Sequence, residues 1–436
     1  MAVGLSNHEL TNDGGGTSSP AKLWTANFIL LWQGNLVSSV GDVLYEIALG
    51  FWILAVTGST ALMGALMAAS TIPRVLFAPI AGVVVDRTDR KWLLVLMDAI
   101  RGIVVVLVAV AAMTGYARVW MVFVAGVIIG LCAAFFNPAV MSVIPDIVTR
   151  EKIVQANSFF SMIRAGSGII GNSLGGVLYA AIGAPIMFLI NGVSYLFSAG
   201  TETFLNIPAV HKGRETPRFF RDMKDGFRYV WTNTGMRFLM LAAGVLNFFA
   251  MIGLVLIIPL FHQTDWLGPS RYGVLMAVLT ASMVLGMATT AAVTIPAHRR
   301  MLIFGISTVT FVTPFIVLPF FNVLWPMLLC VAIGGYSNAI VNVLIQSILQ
   351  LAVPERHRGK VFGLIETLTG GLTPIGMAAG GILGEVLPLE WVIGGAFALI
   401  GLYVFPQLGS RGVRVFFAVE EALADEGGER SENKQN

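Results

Sequence analysis

Long apolar runs, separated by short polar segments, dominate the chain. About 20 apolar residues are enough to cross the ~30 Å hydrocarbon layer of a bilayer as an α-helix. The pattern predicts twelve such helices, near residues 26–55, 61–84, 93–114, 119–143, 154–181, 186–206, 238–262, 271–294, 301–321, 324–350, 361–384 and 389–408. The longest polar interruption follows the sixth, so the helices are predicted to form two sets of six.

The polar segments divide the chain into five predicted parts. Two of these are cytoplasmic tails, residues 1–23, which are predicted to be disordered, and residues 409–436. The others are an N-terminal six-helix bundle, residues 24–206, a cytoplasmic linker, residues 207–237, and a C-terminal six-helix bundle, residues 238–408. Apolar linker residues recur at helical spacing opposite basic ones, which predicts an amphipathic helix along the inner membrane surface. A tether that orients the bundles is favoured over a regulatory site.

Composition and charge exclude a soluble protein. The 436 residues are 56% hydrophobic and 12% charged, against roughly 25% charged in soluble domains. The net charge of +3 is not gathered into a nucleic-acid-binding face. If the amino terminus is cytoplasmic, the outer loops hold only Arg118 and Arg271, and 22 of 27 basic residues lie inside. The positive-inside rule then predicts a multi-pass plasma (inner) membrane protein with both termini cytoplasmic.

The residues that carry catalytic or metal chemistry are sparse. Cys132 and Cys330 both lie inside apolar runs, without a second ligand at metal-binding spacing, and are predicted to be buried. No metal and no cofactor is predicted. The absence of a Walker loop, a nucleophile elbow or a zinc-protease motif predicts that the chain is not an enzyme.

A spacing of small residues repeats between the halves. The fifth and eleventh spans share a G-x-x-x-G-G pattern, at Gly171, Gly175 and Gly176 and at Gly376, Gly380 and Gly381. Small residues let helix backbones approach closely within lipid. The repeat predicts two pseudo-symmetric bundles, as in many secondary transporters.

Four ionisable residues lie within predicted spans, where a charge costs at least ~2.5 kcal/mol and is usually functional. They are Asp42, Glu46, Arg74 and Arg164. Asp42 and Glu46 share one helix face, and Arg74 lies at a similar depth in the next span. A pair between Asp42 and Arg74 that breaks and reforms would bind and release protons, which makes these four residues proton-coupling candidates. A permanent structural bridge is the alternative.

Further polar and aromatic residues are candidates for lining a central cavity. They are Trp32, Gln33, Asn35, Asn247, Asn338 and Asn342. For each of them, helix packing or a lipid-facing position stays open. Glu202 and Glu366 are placed nearer the membrane interface and are expected to be solvated.

The charged loop between the second and third spans carries a recognisable motif. Gly82, Asp86, Arg87, Arg90 and Lys91 fit G-x-x-x-D-R-x-x-R-K, which resembles the cytoplasmic loop motif of the major facilitator superfamily. With the aspartate that precedes Arg90, the D-R-x-D-R-K form is similar to the macrolide-efflux and enterobactin-exporter branch. The resemblance extends over about residues 24–408.

This resemblance implies the major facilitator fold and a role for the loop. In the family, the motif locks the outward-open state at the cytoplasmic ends of helices 2, 3 and 11. Asp86 would be the anchor and Arg87 and Arg90 its partners, with Asp98 and Arg101 completing a gating set. The alternative is that these charges only fix topology. Many antiporters of the family also carry a proline in the fifth helix where this chain has Asn172.

The function expected from the resemblance is secondary transport. The chain is expected to export an amphipathic small molecule, such as a drug, a macrolide or a siderophore-like compound, by alternating access with proton antiport, as a monomer. A lysophospholipid flippase and a small-metabolite facilitator of the same fold remain alternatives. A receptor or scaffold is less favoured, because the short loops leave little surface for partners.

Overall fold

The computed structural model describes residues 23–207, 227–293, 295–353, 355–409 and 413. Within these ranges the chain is α-helical, with two turns of 3₁₀-helix, Arg150–Lys152 and Leu318–Phe320, and no strand. The helices are α1 Ala26–Thr57, α2 Thr60–Arg87, α3 Arg90–Met113, α4 Val119–Ile147, α5 Ile153–Glu202, α6 Thr234–Val255, α7 Ile257–Gln263, α8 Gly268–Ala292, α9 Ala297–Val317, α10 Leu324–Ala352, α11 Glu355–Val386 and α12 Leu389–Leu408.

Polar residues between the apolar runs cap the helices. The Thr25 side chain accepts a hydrogen bond from the Phe28 amide at the start of α1, which ends at Gly58 in the left-handed region (φ 66°). Asp89 accepts bonds from the first amides of α3. These caps satisfy terminal backbone groups that lipid cannot.

The 50-residue helix α5 crosses the membrane twice. Its helical geometry is interrupted at Gly183 (φ 73°, ψ 168°), two residues before Pro185. Residues 153–182 form a first arm and residues 184–202 a second arm, and both pack on α1. The closest approaches pair Gly171 with Val43, Gly175 with Ile47, Asn191 with Gly41 and Ser198 with Gly34. The first arm therefore runs parallel to α1 and the second antiparallel to it, so the chain reverses at the glycine.

The predicted count of twelve crossings is confirmed. The described residues contain eleven helical segments that are long and apolar enough to span a membrane, and α5 supplies two crossings. Helices α6 and α7 form one span, interrupted at Leu256. The sequence pattern did not predict this interruption.

The two halves have matching packing. In the N-terminal bundle, α1 packs on both arms of α5, α2 on α4, and α3 on α4 and α5. In the C-terminal bundle, α6 packs on α11 and α12, α8 on α10, and α9 on α10 and α12. These pairs correspond one to one when each half is read from its first helix. The fold is the predicted pair of pseudo-symmetric six-helix bundles.

The repeated glycines explain how the halves meet. In each G-x-x-x-G-G repeat, the first two glycines contact the first helix of their own bundle. The third glycine contacts a helix of the other bundle. Gly171 and Gly175 contact α1 and Gly176 contacts α8, whereas Gly376 and Gly380 contact α6 and Gly381 contacts α2. The bundles therefore touch through α2 with α11 and α5 with α8.

This contact is confined to one end of the molecule. The end with the α1–α2 connection is termed the outer end, following the predicted orientation, and the end nearer the chain termini the inner end. Gly166 of α5 and Gly363 of α11, both toward the inner end, have no neighbouring atom within 4 Å of an added Cβ. Among the described residues, the bundles are closed at the outer end and separate toward the inner end.

Parts of the predicted domain division lie outside the described residues. These are residues 1–22 and most of the tail after residue 409, together with residues 208–226 of the linker. Residues 227–232 of the linker are helical. There, Phe227 and Trp231 are exposed and stack with ring centroids 5.0 Å apart, and Val230 is buried. The amphipathic helix predicted for the whole linker stays a prediction.

Candidate functional site

A pocket of about 170 Å³ collects charged residues inside the N-terminal bundle. Asp42 and Glu46 of α1 line it, together with Arg74 of α2, Arg101 of α3 and Tyr195 of the second arm of α5. Met377 of α11 closes it from the other bundle. The structure thus brings together three of the four proton-coupling candidates.

Asp42 has a different partner from the one expected. The Tyr195 hydroxyl donates a hydrogen bond to Asp42 Oδ1. Among the described residues, the ion pairs within 4.0 Å do not include one between Asp42 and Arg74. Arg74 and Glu46 are instead exposed to the pocket. The permanent bridge between Asp42 and Arg74 is therefore not the observed arrangement.

Asp98 and Arg101 lie deeper than the loop motif with which they were grouped. They form an ion pair within α3, with exposed fractions of 0% and 4%. The Arg101 guanidinium lies between the rings of Phe136 and Tyr195, 4.3 and 4.5 Å from their centroids. Arg101 lies eleven residues beyond Arg90, or about 16 Å along a helix. The pair therefore adjoins Asp42 rather than the gating loop.

The loop motif is anchored to α4. Arg90 Nη1 lies 2.5 Å from Asp146 Oδ2 and donates to the Ser142 carbonyl at 3.2 Å. Arg90 Nη2 lies 3.8 Å from Asp86 Oδ1, one helical turn earlier. Asp146 was not among the sequence candidates; it lies three residues beyond the predicted fourth span, in the last turn of α4.

The remaining motif residues face outward from this anchor. Arg87 is exposed. Lys91 Nζ lies 5.6 Å from the centroid of the Trp92 ring. Gly82 has no atom within 4 Å of an added Cβ. The face of α2 that carries Gly82 is therefore free of close packing in this conformation.

Arg164 belongs to a second space, of about 450 Å³. Asn35, Arg74 and Asn137 line it with Arg164, and Glu366 of α11 reaches it from the other bundle. Arg164 donates to the Ser161 hydroxyl at 3.0 Å. Since Arg74 also lines the pocket around Asp42, the two spaces adjoin.

The largest of the described cavities, about 650 Å³, lies in the C-terminal bundle and shares Glu366 with the second space. Apolar side chains and amides line it, the amides being Asn247, Asn338, Asn342, Gln346 and Gln350. Asn247 accepts a bond from Thr373 at 2.8 Å, and Asn342 donates to the Asn338 carbonyl at 2.9 Å. The side-chain amides of Asn247 and Asn342 are therefore oriented by hydrogen bonds.

Trp32 and Gln33 differ from the other cavity candidates. The Trp32 ring packs edge-on against Trp24 and Phe159, with centroids 5.6 and 6.4 Å away. Gln33 is half-buried. For Trp32, aromatic packing is the observed role.

Two residues of the buried polar cluster were missed or misplaced by the sequence reasoning. Tyr195 was not a candidate, because a lone tyrosine in an apolar span gives no signal of its partner. Glu202 was expected to be solvated, but its exposed fraction is 0%. Asn27 and Asn206 exchange two hydrogen bonds, of 2.8 and 3.0 Å, beside the end of α5. This closure covers the end of the helix.

Comparisons with known proteins agree with this architecture. The family model described as Major Facilitator Superfamily matches residues 31–377. The chain is 27% identical over 385 residues to the uncharacterized MFS-type transporter YfiS of Bacillus subtilis (strain 168), covering 85% of this chain and 91% of YfiS. It is 23% identical over 364 residues to macrolide efflux protein A of Streptococcus pyogenes, covering 81% and 88% of the two chains.

A solved structure shows the same fold. The nucleoside transporter NupG superposes with a TM-score of 0.66 at 15% identity, covering 88% of this chain and 98% of NupG. The likeness at this identity concerns the fold alone. Together with the family match over most of the chain, it establishes that the protein belongs to the Major Facilitator Superfamily, as a multi-pass membrane transporter of small molecules and not an enzyme.

Proposed function

We propose that the protein exports amphipathic small molecules from the cytoplasm across the plasma membrane, in exchange for protons. The observation that carries this proposal is the division of the interior between the bundles. The N-terminal side presents Asp42, Glu46, Arg74 and Arg164, whereas the C-terminal side presents amides on an apolar wall. Apolar pockets with few polar anchors accept varied ligands, and adjacent carboxyl groups supply sites for protons.

Similarity to macrolide efflux protein A supports export of a drug-like compound such as a macrolide. Identity of 23% does not extend to a particular substrate, so the proposal is limited to the amphipathic class. A cavity of about 650 Å³ has the size of pockets that hold drug-sized molecules.

Protons would enter the cycle at the pocket around Asp42. Asp42 and Glu46 lie one helical turn apart and open onto the same pocket as Arg74. A rearrangement that moves Arg74 toward or away from these carboxyl groups changes their affinity for protons. Each proton that moves down 100 mV releases about 2.3 kcal/mol, which is sufficient to drive a gradient of roughly fiftyfold.

The observed conformation suits substrate uptake from the cytoplasm. The bundles meet at the outer end and diverge toward the inner end, where the cytoplasmic linker joins them. Gating by Asp86, Arg87, Arg90 and Lys91 would act at that inner end. We further infer that one chain is the functional unit, with both termini cytoplasmic and the linker as a tether.

Growth of a host that lacks its own efflux pumps tests the proposal. Cells that produce the protein are expected to survive at higher concentrations of some amphipathic compounds in a panel of macrolides, dyes and siderophores. Asp42→Asn should abolish this resistance, whereas Asp265→Asn, in the outer connection after α7, should retain it. Equal growth with and without the protein across the panel would contradict export.

A further inference from the structure

A second group of carboxyls is buried away from the cavities, between α3 and the second arm of α5. Asp98 and Glu202 both have exposed fractions of 0%. Ser198, one turn before Glu202, lies between them: its hydroxyl is 3.4 Å from Glu202 Oε1 and also reaches the Asp98 carboxyl. Neither acid lines the cavities described above.

The charges in this group do not balance. Among the described residues, Arg101 is the cation that acts on both acids, and it forms its ion pair with Asp98. One guanidinium cannot neutralise two buried carboxylates, and an uncompensated buried charge is strongly disfavoured. Protonation of one acid removes the excess negative charge.

Unpaired oxygen atoms show where such a proton can reside. Asp98 Oδ2 and Glu202 Oε2 are buried and have no hydrogen-bond partner among the described residues. Buried polar atoms are normally satisfied. Each acid thus has one oxygen engaged by a neighbour and one oxygen that is free to carry a proton.

The surroundings connect the acids to the cavity. Arg101 and Tyr195 line the pocket that contains Asp42, and the charge of Arg101 acts on Asp42 as well as on Asp98. From α4, the Cys132 thiol faces Arg101. Arg101 therefore interacts electrostatically with Asp42, which lines the pocket, and with Asp98, which is buried away from it.

We propose that Asp98 and Glu202 form a buried proton-binding pair that holds one proton between them, with Arg101 coupling its occupancy to Asp42. When Asp42 is ionised, the guanidinium is divided between two carboxylates, and the pair retains its proton. When Asp42 takes a proton from the cavity, its negative charge is removed and the whole charge of the guanidinium acts on Asp98 and Glu202. The pair then binds its proton less tightly and can release it. One O–H bond forms and one breaks, so the net charge of the cluster is unchanged.

Proton binding by the pair is independent of the proposed export function, whereas its part in a transport cycle rests on that function. The position of Glu202 gives the step a direction. It is the last residue of α5, close to the closure formed by Asn27 and Asn206 at the inner end. A proton released there leaves toward the cytoplasmic side in the predicted orientation, without passing through the substrate cavities.

Infrared difference spectroscopy of the purified full chain in lipid nanodiscs, titrated with acid and without substrate, tests the pair. Wild-type protein should show the carbonyl stretch of a buried protonated carboxyl near neutral pH. Glu202→Gln should lose this band, because the remaining acid is then neutralised by Arg101. Asp98→Asn should lose it for the corresponding reason, which provides a second variant if the first does not fold. Asp265→Asn should retain it.

A wild-type spectrum without the band, or a band unchanged in both Glu202→Gln and Asp98→Asn, would overturn the proton-binding pair. Asp42→Asn tests the coupling, since it should shift the pH at which the band titrates by about one unit or more. An unshifted titration would overturn the role of Arg101 as the link. Because no substrate is present, failure of the export proposal would leave these spectra unaffected.

Discussion

Gly64 of α2 and Gly381 of α11 lie against each other where the two bundles meet. A Cβ on Gly64 would lie 2.8 Å from the Gly381 Cα, and a Cβ on Gly381 would lie 2.9 Å from the Gly64 Cα. Real Cβ atoms do not approach backbone this closely, so only glycine at both positions permits this crossing. The pseudo-symmetric contact, between α5 and α8, joins Gly176 and Gly273 in the same way.

A larger residue at this crossing should keep the outer end open. Gly381→Leu is expected to push α11 away from α2 and to favour the outward-facing state. Spin labels on Tyr116→Cys and Val323→Cys, in exposed outer connections of the two bundles, should report a longer distance, in a background without Cys132 and Cys330. Gly363→Leu, with open space at its Cβ, is the matched control. Equal distances in Gly381→Leu and wild type would contradict the role of the crossing.

Glu385 of α11 caps α2 across the same interface. Its Oε2 accepts hydrogen bonds from the Ser59 hydroxyl, the Thr60 hydroxyl and the Ala61 amide, at 3.0 to 3.1 Å. Because Glu385 belongs to the other bundle, these bonds break when the outer end opens.

Glu385→Ala is therefore expected to destabilise the outer-closed state by about 1 kcal/mol, or about fivefold in population. The same spin-label pair measures this shift as growth of the longer-distance population. Glu390→Ala, at the start of α12, serves as a control outside the α2 cap. A distance distribution that is identical in Glu385→Ala and wild type would show that the Glu385 hydrogen bonds do not stabilise the outer-closed state.

The Arg90–Asp146 pair is expected to stabilise the inner end of the N-terminal bundle. Its side chains are 16% and 19% exposed, so the pair is partly shielded from solvent. A double-mutant cycle with Arg90→Gln and Asp146→Asn should give a coupling energy of about 1 kcal/mol in thermal unfolding. Arg87→Gln, exposed on the same loop, should show no coupling with Asp146→Asn. Additive effects of Arg90→Gln and Asp146→Asn would show that the contact contributes nothing.

The amide side chains that line the C-terminal cavity should bind polar groups of the substrate. Asn342→Leu removes an amide that lines the cavity and donates to Asn338. Affinity for a transported compound with hydrogen-bonding groups should fall about fivefold, equivalent to one net hydrogen bond of about 1 kcal/mol. Fluorescence titration measures the Kd, with Asn322→Leu in the exposed α9–α10 connection as control. Unchanged affinities across the transported compounds would exclude Asn342 from the binding surface.

Hydrophobic periodicity was sufficient to predict most of the fold, because lipid requires every span to be a helix of nearly fixed length. It also separated the fifth and sixth spans, where Gly183 and Pro185 interrupt an otherwise continuous helix. It did not predict the interruption at Leu256, since an apolar residue in an apolar run gives no local signal. The glycine repeat indicated close packing, but the sequence did not indicate that the third glycine of each repeat contacts the other bundle.

The candidate site was predictable in part. Asp42, Glu46 and Arg74 could be identified from the sequence because each is an ionisable residue within a predicted span. A charge there is costly whatever the rotation of the helix, so it is usually functional. The partners could not be predicted, since rotation and depth of neighbouring helices decide them. Tyr195 rather than Arg74 thus contacts Asp42. Glu202 was expected to be solvated because it lies near the end of a span. The sequence did not reveal the hydrogen bonds between Asn27 and Asn206 beside that end.

Substrate-driven proton movement in proteoliposomes tests the central claim most directly. Liposomes containing the wild-type protein and a pH-sensitive dye should show proton flux opposite to the substrate when a transported compound is added. Asp42→Asn should bind the compound but move far fewer protons, because the carboxyl that exchanges them is gone. Proton flux that is unchanged in Asp42→Asn, or substrate movement without proton flux in the wild type, would contradict proton-coupled export through this pocket.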